Sequence, residues 1–124
     1  MEFKNNEAIY LQIADYVSEH ILLGRWLPDE KILSVRELAA TLEVNPNTVM
    51  RSYEQLQQSE VIYNKRGMGF FVAKDAVVRI KKDQKSRFLK HELPSFFRSI
   101  YLLDISMDEI KEKYTEYKNE NYSK

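Results

Sequence analysis

The feature that most constrains the fold is a three-residue link, Glu43 to Asn45, between two predicted helices. The first, "SVRELAATL" from Ser34 to Leu42, opens on Ser-x-x-Glu, which is the capping-box signature of a helix start. The second, "NPNTVMRSYEQLQQS" from Asn45 to Ser59, opens on an asparagine N-cap followed by a proline at the first helical position. Two helices joined by so short a turn must cross steeply, so the sequence predicts a helix-turn-helix.

A further helix ahead of this pair and a hairpin behind it complete the predicted domain. In "AIYLQIADYVSEHILL", residues 8–23, isoleucine and valine recur every fourth residue, which indicates an amphipathic helix that Gly24 ends. We interpret the following "RWLPDEKI" as a loop, "VIY" and "FFV" as strands, and "NKRGMG" as a hairpin tip with two glycines. We therefore predict a mostly α-helical fold with a small β-hairpin, a winged helix-turn-helix domain over residues 1–73.

The composition changes at Lys74, where residues 74–98 hold eight basic and three acidic side chains. Apolar residues from Leu89 to Leu103 then step by four and three, which is the spacing of a helix-packing seam. Pro94 lies inside this seam and either kinks one helix or starts another. A second capping box, "SMDE", begins a last helix with its own apolar stripe. We interpret residues 74–124 as a short C-terminal helical dimerisation tail, with its aromatic residues in the dimer core.

The residue types exclude several classes of protein. The chain has no cysteine, so disulfides and thiolate zinc sites are excluded, and a reducing compartment is the natural setting. It has neither a secretion-signal pattern nor an apolar run of the ~18 residues that span a bilayer, so we expect a cytoplasmic protein without a membrane partner. His20 and His91 stand far apart, and no motif places a nucleophile triad or a phosphate-cradling glycine loop. We therefore expect no metal, no cofactor and no enzyme activity.

The predicted domain also carries a family resemblance. The stretch "LSVRELAATLEVNPNTVMRSYEQLQQSEVIYNKRGMGFFV" resembles the winged-helix domain of GntR-family bacterial transcription regulators. The motif "NPNTV" followed by a tail of two or three helices resembles the YtrA-type subfamily. The resemblance implies a homodimeric repressor, often of transporter genes, on a roughly palindromic operator. The family usually has proline where Leu33 stands and glycine where Glu60 stands.

The front of the second helix of the helix-turn-helix is the first candidate for DNA contact. Such a helix enters the major groove by its N-terminal end, which also offers free N–H groups to phosphate. Asn45, Asn47 and Thr48 stand there; asparagine can read adenine through two hydrogen bonds, and the threonine methyl can touch a thymine methyl. The alternative is that Asn45 only caps the helix and Thr48 bonds locally.

Two arginines lie off the apolar stripes of their helices. Arg51 lies one turn beyond Asn47 and faces either solvent or DNA. Arg36 sits near the start of the preceding helix, and the family resemblance makes it a DNA-contacting residue. The alternative for Arg36 is an ion pair with Glu37 or Glu43.

The glycine-containing hairpin tip is the third candidate. Lys65 and Arg66 can meet phosphate or the minor groove, and Gly67 and Gly69 let the backbone approach closely. The alternative is that the glycines serve the turn and the charges keep an edge soluble. The predicted DNA-contacting residues are Arg36, Asn45, Asn47, Thr48, Arg51, Lys65, Arg66, Gly67 and Gly69.

We therefore predict a sequence-specific DNA-binding transcriptional regulator, a homodimeric repressor whose partners are double-stranded DNA and a second copy of the C-terminal helices. The alternative is a winged helix used as a protein-interaction module without specific DNA binding. The net negative charge of residues 1–73 favours that alternative, because these residues hold seven basic and ten acidic side chains. The sequence names no small-molecule effector, operator or regulated gene.

Overall fold

The computed structural model describes residues 1–4 and 7–123, which form six helices and a two-stranded sheet. In chain order the elements are α1 (Ile9–Leu22), α2 (Val35–Leu42), α3 (Pro46–Gln58), β1 (Ile62–Lys65), β2 (Gly69–Val72), α4 (Ala76–His91), α5 (Leu93–Leu102) and α6 (Met107–Asn121). The chain divides into two compact units, Met1–Asp83 and Gln84–Lys124. The first unit is a winged helix-turn-helix and the second is helical, as the sequence predicted for the fold class.

The capping box at the start of α2 is confirmed in both halves. The Glu37 N–H donates to Ser34 Oγ at 3.1 Å, and the Ser34 N–H donates to Glu37 Oε1 at 2.9 Å. The backbone N–H and the hydroxyl of Ser34 hold the pKa of Glu37 below its ordinary value, because they stabilise the ionised carboxylate. At the other end of α2, Glu43 takes a left-handed conformation with φ 57° and turns the chain toward α3.

The core of the first unit lies where α1, α2 and α3 meet. Its fully buried members include Ile13, Val17, Leu38, Val49 and Tyr53. Two hydrogen bonds lock α3 into this core: the Tyr53 hydroxyl donates to the Leu33 carbonyl at 2.6 Å, and Ser52 Oγ donates to the Tyr10 carbonyl at 2.6 Å. Burial raises the pKa of Tyr53, so the hydroxyl stays protonated and remains a donor.

The segment from Asp29 to Ile32 lies within the predicted loop and pairs with β2 through its backbone. The Ile32 N–H donates to the Phe70 carbonyl at 2.9 Å, and the Val72 N–H donates to the Glu30 carbonyl at 2.9 Å. Between these bonds Lys31 forms a bridge with Phe71. Residues 25–32 contain no helix or strand, as the loop prediction expected, but the sequence did not indicate this pairing, because its partners lie far along the chain. We call this stretch the edge segment.

The hairpin of β1 and β2, which we call the wing, is antiparallel and runs from the Ile62–Val72 pair to the Lys65–Gly69 pair. Glu60 precedes it in the left-handed region, with φ 59°. Such a conformation costs a non-glycine residue about 1–2 kcal/mol. Here the Glu60 carboxylate forms an ion pair with Arg79, in which Nη1 lies 2.9 Å from Oε2.

The second unit answers the question that Pro94 left open. Helix α4 ends at His91, and α5 begins at Leu93 with Pro94 in its first turn, so the proline starts another helix. Ser106 caps α6, because its Oγ accepts the Glu109 N–H at 3.1 Å. No described residue of α5 or α6 is buried. Across the described ranges, no helix combines the length and the hydropathy that crossing a bilayer requires.

Candidate nucleic-acid interface

Hydrogen bonds to Asn45 stabilise the first turn of α3, Asn45 to Thr48, which we call the α3 tip. Asn45 Oδ1 accepts the Asn47 N–H at 2.8 Å, which confirms Asn45 as the N-cap. The N–H groups of Thr48 and Val49 donate to the Asn45 carbonyl at 3.0 and 3.4 Å, and Pro46 has no N–H. The N–H groups of Asn47, Thr48 and Val49 are therefore engaged within the helix start, and the side chains of the α3 tip stay the predicted DNA contacts.

The side chains of the α3 tip differ in what they present. Asn45 is exposed and its side-chain oxygen accepts the cap hydrogen bond, so its carboxamide nitrogen is the group left to contact a partner. Asn47 is exposed and Thr48 is half-buried. The first turn of α3 contains no acidic residue, and the acidic residue that precedes it in the connecting turn is the exposed Glu43.

Arg51 is exposed on the outer face of α3 and packs against α1. Its guanidinium carbon lies 3.8 Å from the centroid of the Tyr10 ring, which is the geometry of a cation–π contact. The sequence patterns missed Tyr10 because periodicity assigns buried faces and says nothing about pairs of surface side chains. The available signal was that Tyr10 is a large aromatic residue off the α1 stripe of Ile9, Ile13 and Val17.

Arg36 is the second residue of α2, and its side chain is exposed. Within residues 1–4 and 7–123, Arg36 forms no ion pair with Glu37 or Glu43, the two partners considered from sequence. The carboxylate of Glu37 is engaged by the capping box instead. Arg36 therefore presents its guanidinium to the surface of the first unit.

The tip of the wing carries two lysine or arginine side chains and two glycines. Lys65 and Arg66 are exposed, and Lys65 Nζ lies 4.9 Å from the centroid of the Phe71 ring. Gly67 has φ +78° and Gly69 has φ +111°, conformations that other residues adopt only with strain. The backbone of the hairpin therefore favours glycine at both positions, and contact of these glycines with DNA stays a prediction.

These residues lie on elements of one compact unit. Helix α3 packs against α1, α2 and β1, so the α3 tip, the start of α2 and the wing belong to one rigid framework. Among the residues that the structure describes, no group of three or more histidine, aspartate or glutamate side chains is arranged to hold a metal ion. The arrangement offers cationic and amide groups for recognition.

Sequence comparison decides the family. The profile of the bacterial regulatory proteins of the gntR family matches residues 9–72, which is the span from α1 to the end of the wing. The chain belongs to the GntR family. As a member it is a winged-helix transcriptional regulator and not an enzyme, which confirms the prediction made from its motifs.

Two curated GntR relatives match nearly the whole chain. YhcF, an uncharacterized HTH-type transcriptional regulator of Bacillus subtilis (strain 168), is 32% identical over 111 residues, which cover 90% of this chain and 90% of YhcF. The HTH-type transcriptional repressor YtrA of the same organism is 28% identical over 109 residues, which cover 88% of this chain and 83% of YtrA. The likeness therefore extends beyond the winged helix into α4, α5 and α6.

Solved structures of GntR proteins show the same architecture. A GntR-family protein from Bacteroides thetaiotaomicron is 55% identical, has a TM-score of 0.75 and covers 89% of this chain and 96% of its own. The DNA-binding domain of AraR, solved in complex with operator ORR3, is 33% identical with a TM-score of 0.50. The match covers 52% of this chain and 77% of the AraR chain. The AraR likeness concerns the winged helix alone.

Proposed function

We propose that this GntR regulator is a sequence-specific repressor that binds a roughly palindromic operator as a homodimer. The observation that carries the proposal is the α3 tip, which the Asn45 cap fixes and whose helical turn holds no acidic residue. Its amide side chains, Asn45 and Asn47, are exposed, and the Thr48 hydroxyl beside them is half-buried. The AraR domain, which has the same winged-helix fold, is seen on operator DNA.

The proposed recognition divides the predicted residues by chemistry. Asn47, Thr48 and Arg51 read base edges in the major groove, where a recognition helix enters by its N-terminal end. Asn45 caps α3 and offers its carboxamide nitrogen to the DNA. Contacts to phosphate and to the flanking groove set the register and come from Arg36, Lys65, Arg66, Gly67 and Gly69.

The second unit supports the proposal of a homodimer. Large apolar side chains of α5 and the turn after it stay exposed in the single chain: Phe96, Phe97, Tyr101, Leu102 and Leu103. Exposed apolar clusters of this kind mark interaction surfaces, because burying each such side chain contributes about 1.5–3 kcal/mol. We propose that the predicted tail, residues 74–124, dimerises through α5 and the turn after it, and that the two-fold axis of the dimer matches a palindromic operator.

A charge placed on α5 tests the dimer. Phe97→Glu should yield a monomer in analytical ultracentrifugation at concentrations where the unaltered chain is a dimer, because the carboxylate would have to be buried. Gln57→Glu is the control: Gln57 is exposed on α3 in the first unit, so this variant adds the same negative charge outside the proposed dimer surface. A monomeric unaltered chain would remove the dimer from the proposal.

The repressor role rests on the likeness to YtrA, which is named a transcriptional repressor. By the same resemblance we propose transporter genes as targets. Footprinting of the protein on the DNA upstream of its own gene tests the repressor role, because it locates the operator relative to a promoter. Protection that overlaps the promoter supports repression, whereas protection only upstream of the promoter supports activation.

A protein-interaction module is the second candidate, and one observation favours it. Residues 1–73 hold seven basic and ten acidic side chains, so bulk attraction to DNA is absent. Gel-shift titrations against random DNA and the upstream region separate the two functions. The module predicts no shift with either duplex, whereas the repressor predicts a tighter shift with the upstream region.

A further inference from the structure

Lys31 lies in the edge segment, on the side of β2 opposite to β1. Its backbone is fixed there because it bridges Phe71 between two hydrogen bonds of 2.9 Å, Ile32 N–H to Phe70 O and Val72 N–H to Glu30 O. The wing therefore has three chain segments side by side, with β2 in the middle. Lys31 was absent from the residues predicted to touch DNA, because its segment was taken for a loop.

The side chain of Lys31 lies across the backbone of Gly69. A Cβ atom placed on Gly69 would stand 3.1 Å from Lys31 Cε and 3.8 Å from Lys31 Nζ. On the other side of Gly69, its strand partner in β1 is Lys65. Gly69 is thus flanked by two lysines from two different segments, and the lack of a side chain at Gly69 leaves room for the first of them.

Lys31 also lies close to the start of α2. The pKa of Glu37 is lowered first by the backbone N–H and hydroxyl of Ser34, and the positive charge of Lys31 contributes further in the same direction. Arg36 is the neighbour of Glu37 in that turn. Lys31 is exposed and, among the described residues, forms no ion pair within 4.0 Å.

We propose that Lys31 is a DNA-phosphate contact that joins the wing and the start of α2 into one cationic surface. This inference rests on the proposed DNA-binding function and adds a residue to it. Lys31 supplies the charge between Arg36 and Lys65, and Gly69 keeps the ammonium group against the wing backbone. A lysine ammonium acts as a point charge on phosphate, so the contact strengthens binding without selecting a sequence.

The competing explanation is edge protection. A lysine on an outer strand keeps the edge of a sheet from pairing with other chains, and Lys31 occupies such an edge. Edge protection predicts that removing the charge changes solubility and leaves DNA binding unaltered. A phosphate contact predicts the reverse, so the two explanations separate in one experiment.

The experiment compares Lys31→Gln with Lys74→Gln in the full chain. Lys74 follows β2 at the end of the wing remote from its tip, its side chain is 85% exposed, and its Nζ lies 4.0 Å from Asp29 Oδ2. Both variants lose one positive charge per chain, so Lys74→Gln controls for the general loss of attraction. Affinity is measured by fluorescence anisotropy over a range of salt concentrations, with a random-sequence duplex and with the footprinted upstream duplex.

For Lys31→Gln we expect severalfold weaker binding to both duplexes. The slope of log K on log salt should become shallower by about 1 per chain, or about 2 for a homodimer. Lys31→Arg should restore the slope, and Lys74→Gln should match the unaltered chain. Equal slopes for Lys31→Gln and the unaltered chain would overturn the inference while leaving the proposed function intact. An unaltered chain that binds neither duplex would overturn the proposed function itself.

Discussion

The guanidinium carbon of Arg51 lies 3.8 Å from the centroid of the Tyr10 ring, which joins the outer face of α3 to the first turn of α1. A contact of this kind at an exposed site contributes about 0.5–1 kcal/mol. It also restricts the rotamers of a long side chain before any partner arrives. The entropy cost of ordering Arg51 is then lower at the moment of binding.

Tyr10→Leu should therefore weaken binding to the upstream duplex by about 0.5–1 kcal/mol, whereas Tyr10→Phe, which keeps the ring face, should bind as the unaltered chain does. Fluorescence anisotropy measures both. A double-mutant cycle with Arg51→Ala supplies the control: once Arg51 is removed, Tyr10→Leu should have no further effect. Additive effects of the two changes would show that Tyr10 acts independently of Arg51.

Asn47 and Lys65 should behave differently, because one faces base edges and the other faces phosphate in the proposed complex. Asn47→Ala should cost about 1–3 kcal/mol on the cognate duplex and relax the base preference at one position. Lys65→Ala should weaken cognate and random duplexes by similar factors. A panel of duplexes with single base changes measures both effects. An unchanged base preference in Asn47→Ala would remove Asn47 from the base-reading set.

Asn45 has a cap role that can be separated from any DNA role. Asn45→Ala should lower the free energy of unfolding by about 0.5–2 kcal/mol in urea titrations, because the Asn47 N–H loses its acceptor. Asn45→Ser keeps a capping oxygen and should recover that stability. If the carboxamide nitrogen also touches DNA, Asn45→Ser will bind more weakly than the unaltered chain despite its restored stability. Full affinity in Asn45→Ser would assign Asn45 to capping alone.

Glu60 takes the left-handed conformation, with φ 59°. Glu60→Gly and Glu60→Ala both lose the 2.9 Å ion pair with Arg79, so the difference between them isolates backbone strain. We expect the glycine variant to be more stable than the alanine variant by about 1 kcal/mol in urea unfolding. Equal stabilities would mean that this turn relaxes without strain.

The helices of the first unit could be predicted because their signals are local. The bounds of α2 and the start of α3 follow from Ser34 with Glu37 and from Asn45 with Pro46, which are neighbours in the chain. The edge segment could not be predicted, because Glu30 and Ile32 bond to Val72 and Phe70, far along the chain. Local patterns carry no information about such distant partners.

The sequence predicted the exposure of several candidate residues but not the contacts that they make. The exposed positions of Arg36, Asn47 and Arg51 follow from their places off the apolar stripes. The contacts of Arg51 with Tyr10 and of Lys31 with Gly69 join separate elements and depend on how those elements pack. The sequence also left open whether Pro94 kinks one helix or lies in the first turn of another, because proline is compatible with both. The backbone shows that α5 begins at Leu93 with Pro94 in its first turn.

The most direct test of the central claim is the salt dependence of binding by the unaltered chain to the upstream duplex and to a random duplex. With three to five phosphate contacts per chain, the slope of log K on log salt should be roughly −5 to −9 for a dimer. The upstream duplex should also bind far more tightly than the random one at every salt concentration. A flat salt response, or equal affinities for the two duplexes, would contradict the proposal that the α3 tip and the wing recognise DNA.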